Sequence, residues 1–355
     1  MNDHLSYKLR ALSLVAIILV VFIHSYNAEI KLDSGVLTGG NSPFVMLVEN
    51  FLSKGIARIA VPLFFSISGF LFYIKWNFSF NGIVDKYKKR IKSLLIPYLF
   101  WSLYGVLLFL ILQSLPWSKH FFTRELIKEY SFSKLIETIL VDPITYQLWF
   151  IRDLILLVVF SPLIGFLTKS TKGIWILFLT VLWYVAPKTF ELFSNESLLF
   201  FTVGCYLALE KSQRLLNQGV ISKYSTYFLI AWLTIVSLTT YLLTFNRGGT
   251  VLNFLNNTGI LIGILAVWSL YDLVDRAQII KYSAFFAYTF IIYVFHEPLL
   301  TILVKGMFYW FGKTDASSLM IYLTAPLLAI AFCMCLRYLW VRTAPGFYDF
   351  ATGGR

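Results

Sequence analysis

Ten apolar stretches dominate this chain, most of them near the roughly 17–25 residues a helix needs to cross hydrocarbon. They cover approximately residues 9–26, 56–76, 94–115, 147–168, 174–187, 198–209, 227–245, 257–271, 285–304 and 319–341. The fifth, sixth and eighth are the shortest. The expected fold class is therefore all-α, a polytopic transmembrane helix bundle of about ten spans. Of the 355 residues, 58% are hydrophobic and 14% charged, against about 45–50% and about 25% in soluble domains. Mean hydropathy is +0.74. The first stretch begins close to the terminus, and Tyr26-Asn27-Ala28-Glu29 after it is a poor match to a small-residue cleavage site. It reads as an uncleaved span, not a removed signal peptide. No linker, repeat or low-complexity tract appears, so residues 1–355 read as a single transmembrane domain.

The net charge of +12 is explained by topology rather than by nucleic acid. With the N-terminus cytoplasmic, the inner segments hold 18 Lys and Arg and the outer segments 10. The positive-inside rule then favours both termini inside, an even number of spans, and a multi-pass protein of the cell inner (cytoplasmic) membrane. The longest outer loop, residues 116–146, has room for a short amphipathic helix around 124–140. Cys205, Cys333 and Cys335 all fall in apolar stretches, so no disulfide framework is expected. His4 and His120 lie outside the spans and no spacing fits zinc, so no metal is expected.

Ionisable side chains within spans carry the functional information, because each costs on the order of 2.5–3.5 kcal/mol at mid-membrane unless it finds a partner or a watery cavity. Six stand out: His24, Arg58, Arg152, Asp153, His296 and Glu297. In the N-in topology all fall in the outer halves of four spans, which is the pattern of one polar cavity. The competing structural readings are specific. Arg58 near a span end can snorkel, and a lone intramembrane histidine often bonds a neighbouring helix. Arg152 and Asp153 point about 100° apart, so they do not simply neutralise each other.

Two further features matter. Lys86-Tyr-Lys-Lys-Arg-Ile-Lys92 places a cation cluster at the cytoplasmic start of the third span. It reads either as lipid-headgroup anchoring or as a phosphate site for an anionic cytosolic ligand. Phe65-Ser66-Ile67-Ser68-Gly69-Phe70, halfway along the second span, lets another helix or a ligand approach closely. Pro62, one turn earlier, disposes that span to kink.

His24 closing the first span, the Phe-Ser-Ile-Ser-Gly-Phe stretch, the basic run before Ile96-Pro97-Tyr98, Leu148-Trp-Phe-Ile-Arg-Asp153 and Ile292-Tyr-Val-Phe-His-Glu-Pro298 occur in this order. Together they resemble the membrane-bound acyltransferase-3 family over about residues 5–342. The resemblance implies transfer of an acyl group, usually acetyl, from cytoplasmic acyl-coenzyme A to a hydroxyl of an extracytoplasmic carbohydrate. The family pattern has a basic residue eleven positions before its histidine, where this chain has Ser13. Arg10, fourteen before His24, lies on roughly the same helical face, about 40° away. Of two family arginines three apart before the third span, Arg90 matches the first and Ser93 stands at the second, with Lys89 and Lys92 alongside. On this resemblance His24 is the general base. Asp153 or Glu297 orients an imidazole, and Arg152 or His296 stabilises an oxyanion or the sugar. Arg10, Lys89, Arg90 and Lys92 hold donor phosphates, with Ser66 and Ser68 as further donor-site candidates. An acyl-enzyme on histidine or serine is the alternative chemistry. Trp149, Tyr146 and Trp183 offer faces for sugar stacking. The main competing class is a transporter or flippase for lipid-linked sugar, which needs the same intramembrane charges but no coenzyme A. A non-catalytic sensor or scaffold is the third.

Overall fold

The structure is a computed structural model and describes residues 3–27, 30–32, 35–37, 42–76, 78–116, 125–186, 193–209, 221–247, 249–276 and 283–354. Helices α1 (Asp3–His24), α2 (Pro43–Glu49) and α3 (Ala60–Tyr73) open the chain, with a two-stranded antiparallel ribbon, β1 (Ile30–Leu32) and β2 (Gly35–Leu37), after α1. Next come α4 (Phe80–Arg90), α5 (Ile96–Ser114), α6 (Phe132–Leu140), α7 (Trp149–Val159), α8 (Ser161–Ser170), α9 (Ile174–Val185) and α10 (Asn195–Leu209). The chain continues through α11 (Ser225–Thr244), α12 (Gly249–Arg276), α13 (Thr289–Phe311), α14 (Asp315–Thr343) and α15 (Pro345–Thr352). Each of the ten apolar stretches is helical over most of its described residues. Among the described residues, seven helices are long and apolar enough to cross a membrane, and an eighth span follows if α7 and α8, bent by 64°, count as one. Helices α9 and α10 are apolar but shorter. The outer-loop helix expected around 124–140 is realised as α6, which Ser131 caps by accepting the Lys134 N–H; residue 124 itself lies outside the described residues.

Proline accompanies several departures of the long helices from regular winding. It lacks an N–H, and its ring crowds the carbonyl four residues earlier. Ahead of Pro62 the chain winds as a π-turn over Asn50–Gly55 and as 3-10 over Ile56–Ile59. Ahead of Pro97 it is again π-wound, over Ile91–Leu95. Pro162 follows the α7–α8 bend, and Pro298 follows a residue with extended backbone, Glu297 at φ −107° and ψ 136°.

The chain forms two compact units. The first comprises Met1–His24, Leu47–Lys88 and Asp153–Thr289. Its tightest contact joins α3 and α10. A methyl placed on Gly69 would overlap the Phe201 carbonyl, and one on Gly204 would overlap the Ser66 carbonyl and crowd the Phe70 N–H. A second core gathers Ile59, Trp232, Val236 and Ala266. Lys8 of α1 is fully buried, with its ammonium 2.7 Å from Asp272 of α12 and 4.0 Å above the Trp268 ring. Both partners are supplied locally, which offsets the cost of burying the charge.

The second unit comprises Ser25–Met46, Lys89–Arg152 and Phe290–Arg355. Buried Trp101 of α5 meets the Phe295 ring edge-on and donates its indole N–H to the Ala351 carbonyl of α15 at 2.9 Å. Tyr98 and Ser102 donate to the Leu140 and Ile139 carbonyls at the end of α6, at 3.0 and 2.8 Å.

Candidate active site

In the first unit, His24 is the last residue of α1 and is half-buried. Its helix end is tied down two residues earlier, where Ser53 of the π-turn donates to the Phe22 carbonyl at 2.7 Å. Asn50 of the same π-turn donates to Thr244 at 3.1 Å, and Glu49 just before it is fully buried. Arg58 pairs with Glu196 at 3.6 Å. Asp153 is 1% exposed and accepts from the Ser194 N–H and the Ser197 hydroxyl, both at 3.3 Å. These donors belong to the start of α10, where a carboxylate satisfies orphan N–H groups and complements the helix dipole. Arg10 is exposed on α1, and the Ser13 hydroxyl is used within its own helix, donating to Leu9 at 2.8 Å. Ser66 and Ser68 lie on the small-residue stretch that meets α10. Trp183 is buried edge-on against Phe200, so its face is not presented to a sugar.

In the second unit, the break in α13 organises the site. Pro298 has no N–H to give the Val294 carbonyl. Gln147 supplies the missing donor: its side-chain amide bonds Val294 O at 3.2 Å and Glu297 O at 3.0 Å, while Tyr293 donates to the Gln147 carbonyl at 2.7 Å. At the break the Glu297 carboxylate is 3% exposed. It accepts from Thr301 at 2.8 Å and from the Tyr146 hydroxyl at 3.4 Å. His296 is fully buried, with Nδ1 2.8 and 2.9 Å from the Ile292 and Tyr293 carbonyls. Carbonyls only accept, so Nδ1 carries a proton, and in the neutral ring Nε2 then holds the lone pair. Arg152 donates to the Val141 carbonyl at 2.8 Å. Lys89 and Lys92 are exposed and Arg90 is partly buried, all at the π-turn before α5.

The six intramembrane groups are thus divided. His24, Arg58 and Asp153 belong to the first unit, and Arg152, His296 and Glu297 to the second. Glu196 at Arg58, and Gln147 and Thr301 around the break, are functional candidates that sequence reasoning passed over, while Tyr146, read as a sugar-stacking face, donates its hydroxyl to Glu297. Pro298 signalled that a carbonyl would be freed, but nothing in the pattern signalled which residue meets it.

The family model for an acyltransferase domain matches residues 7–338. The chain belongs to the acyltransferase-3 family. It is similar to the succinoglycan biosynthesis protein ExoH of Rhizobium meliloti, with 26% identity over 371 aligned positions that take in 100% of this chain and 94% of that protein. No solved structure shows a significant match. The matched region of this acyltransferase includes every candidate site residue and stops ahead of α15. Its helices are those of a multi-pass membrane protein. The broken α13 carries a buried imidazole and a buried carboxylate, the latter held by the Thr301 and Tyr146 hydroxyls.

Proposed function

We propose that this acyltransferase is a membrane O-acyltransferase moving an acyl group, acetyl in our reading, from cytoplasmic acyl-coenzyme A to a hydroxyl of an extracytoplasmic carbohydrate such as a surface polysaccharide. The observation that carries the reading is the break in α13, where His296 and Glu297 sit buried within a family-matched acyltransferase domain. Similarity to a succinoglycan biosynthesis protein supports a polysaccharide acceptor. His24 acts as general base: it takes the proton of the acceptor hydroxyl as its oxygen attacks the acyl carbonyl and the coenzyme A thiolate leaves. Arg152 meets developing negative charge or sugar hydroxyls, and the His296 Nε2 lone pair accepts from a sugar hydroxyl. Glu297, with Tyr146, provides hydrogen-bonding groups for a hydroxylated acceptor. Lys89, Arg90 and Lys92 hold the donor phosphates, and Arg10 on α1 has the same chemistry. In this reading ten spans carry the chain across the inner membrane, with both termini cytoplasmic.

The test is His24→Ala in membranes supplied with labelled acetyl-coenzyme A, with surface glycans read by mass spectrometry. Transfer should fall at least about a hundredfold, the usual worth of a general base. A rate near that of the parent chain removes His24 from the chemistry. A transporter or flippase would leave glycan acylation unchanged on deletion of the whole protein and would not bind coenzyme A.

A further inference from the structure

The C-terminal helix α15 lies beyond the family-matched residues 7–338, yet it is docked with unusual thoroughness. Tyr348, Ala351 and Thr352 are buried. Trp101 donates to the Ala351 carbonyl at 2.9 Å, and Arg337 of α14 donates to the Tyr348 hydroxyl at 3.1 Å. The helix ends in a Schellman turn: Gly354 N–H bonds Asp349 O at 2.8 Å and Gly353 N–H bonds Phe350 O at 3.4 Å. Gly353 has φ +71°, and a Cβ there would stand 2.7 Å from the Lys92 carbonyl, 2.7 Å from Ser93 Cα and 3.2 Å from Pro97 Cγ. The end of the chain therefore rests directly on the backbone of the π-turn Ile91–Leu95.

That contact matters because a π-turn carries one more residue than the α-helix would. Relaxing it to α winding rotates everything before it by about 100° relative to everything after. Lys89 and Arg90 precede the turn and Lys92 lies within it. We propose that α15 and Gly353 are a clamp that holds the π-turn and thereby sets the direction in which the Lys89–Arg90–Lys92 cluster faces, so that Gly353 and Trp101 are positioning residues for binding the phosphates of the acyl donor. This rests on the reading of that cluster as the donor site.

The experiment uses the full chain in neutral detergent and coenzyme A as the probe. Gly353→Ala adds a methyl against the Lys92 carbonyl. Gly354→Ala imposes the same kind of backbone cost at φ +76° with nothing within 4 Å, and is the control. Gly353→Ala should weaken coenzyme A binding about tenfold, the worth of one misdirected charge-assisted hydrogen bond. It should also speed amide hydrogen exchange over residues 91–95, while Gly354→Ala leaves both near the parent values. Trp101→Phe, which loses the bond to Ala351, should repeat the effect should Gly353→Ala fail to fold. Equal behaviour of the two glycine variants overturns the clamp. So does exchange that quickens while coenzyme A affinity stays the same. Failure of the parent chain to bind coenzyme A is a separate result, which removes the donor site itself and the clamp's function with it.

Discussion

Val294 and Tyr322 stand four residues ahead of Pro298 and Pro326, so neither carbonyl receives the bond an unbroken helix would give it. In hydrocarbon an unmet carbonyl costs several kcal/mol, and both are met by side chains distant in sequence. Gln147 donates to Val294, and Ser25 donates to Tyr322 at 3.0 Å. Gln147→Leu keeps the volume and deletes the donor, so it should destabilise by about 1–3 kcal/mol and lower acyl transfer by loosening the turn that holds His296 and Glu297. Thermal unfolding in detergent reads the first effect and glycan acylation the second. An unchanged midpoint would mean that another group takes over the Val294 carbonyl. Glu297→Gln separates charge from shape: Thr301 and Tyr146 meet different carboxylate oxygens, so the amide oxygen keeps one hydroxyl donor and the NH2 turns to donate to the other hydroxyl oxygen. Folding should hold while transfer drops at least tenfold if the carboxylate takes part. The histidine, the glutamate and the proline of this site were all legible in the sequence. Gln147 and Ser25 were not, because a side chain that replaces a lost helix bond is chosen by proximity in space, and neither periodicity nor composition encodes that.

At the scale of elements, the geometry of α3 and α10 gives the Phe65–Phe70 stretch a packing role. Gly69 faces the Phe201 backbone and Gly204 faces the Ser66 backbone, a reciprocal close approach of the kind small residues permit between membrane helices. Gly204→Val should therefore be severely destabilising, with two backbone groups in the way and neither able to move cheaply, and should lower the yield of folded protein in membranes. Ser66→Ala and Ser68→Ala preserve the approach and should leave both fold and coenzyme A binding nearly unchanged. A clear loss of coenzyme A affinity in either serine variant would assign that serine to the donor site. The hydrophobic stretches located every long helix, since length and apolarity are local properties. The π-turns at Asn50–Gly55 and Ile91–Leu95 were foreshadowed only by Pro62 and Pro97. The same local ambiguity hid α15, whose eight residues are too few for a hydropathy window to single out.

For the whole molecule, the decisive question is whether α9 and α10 cross the bilayer. Their 12 and 15 residues span only about 18 and 22 Å at 1.5 Å per residue, against a hydrocarbon core of about 30 Å. The seven long helices and the bent α7–α8 pair account for eight spans, and the ten-span topology requires both short helices to cross by thinning the bilayer or leaning on flanking residues. Because they are consecutive, counting both or neither leaves the parity the same, so a reporter on the C-terminus reads cytoplasmic in either case and decides nothing. The residues between them discriminate. With ten spans and the N-terminus inside, residue 188 faces outward; with eight it stays on the inner side or within the membrane. Cysteine placed at Lys188, with Cys205, Cys333 and Cys335 replaced by serine, should react with an impermeant maleimide added to the outer face, and a cysteine at Arg355 should react only after permeabilisation. Labelling at 188 only after permeabilisation would reduce the count to eight. In the N-in reading it would leave His24 outward, since its side depends on the first span alone, and α13 outward as well, since the loss of two consecutive spans keeps the parity of those before it.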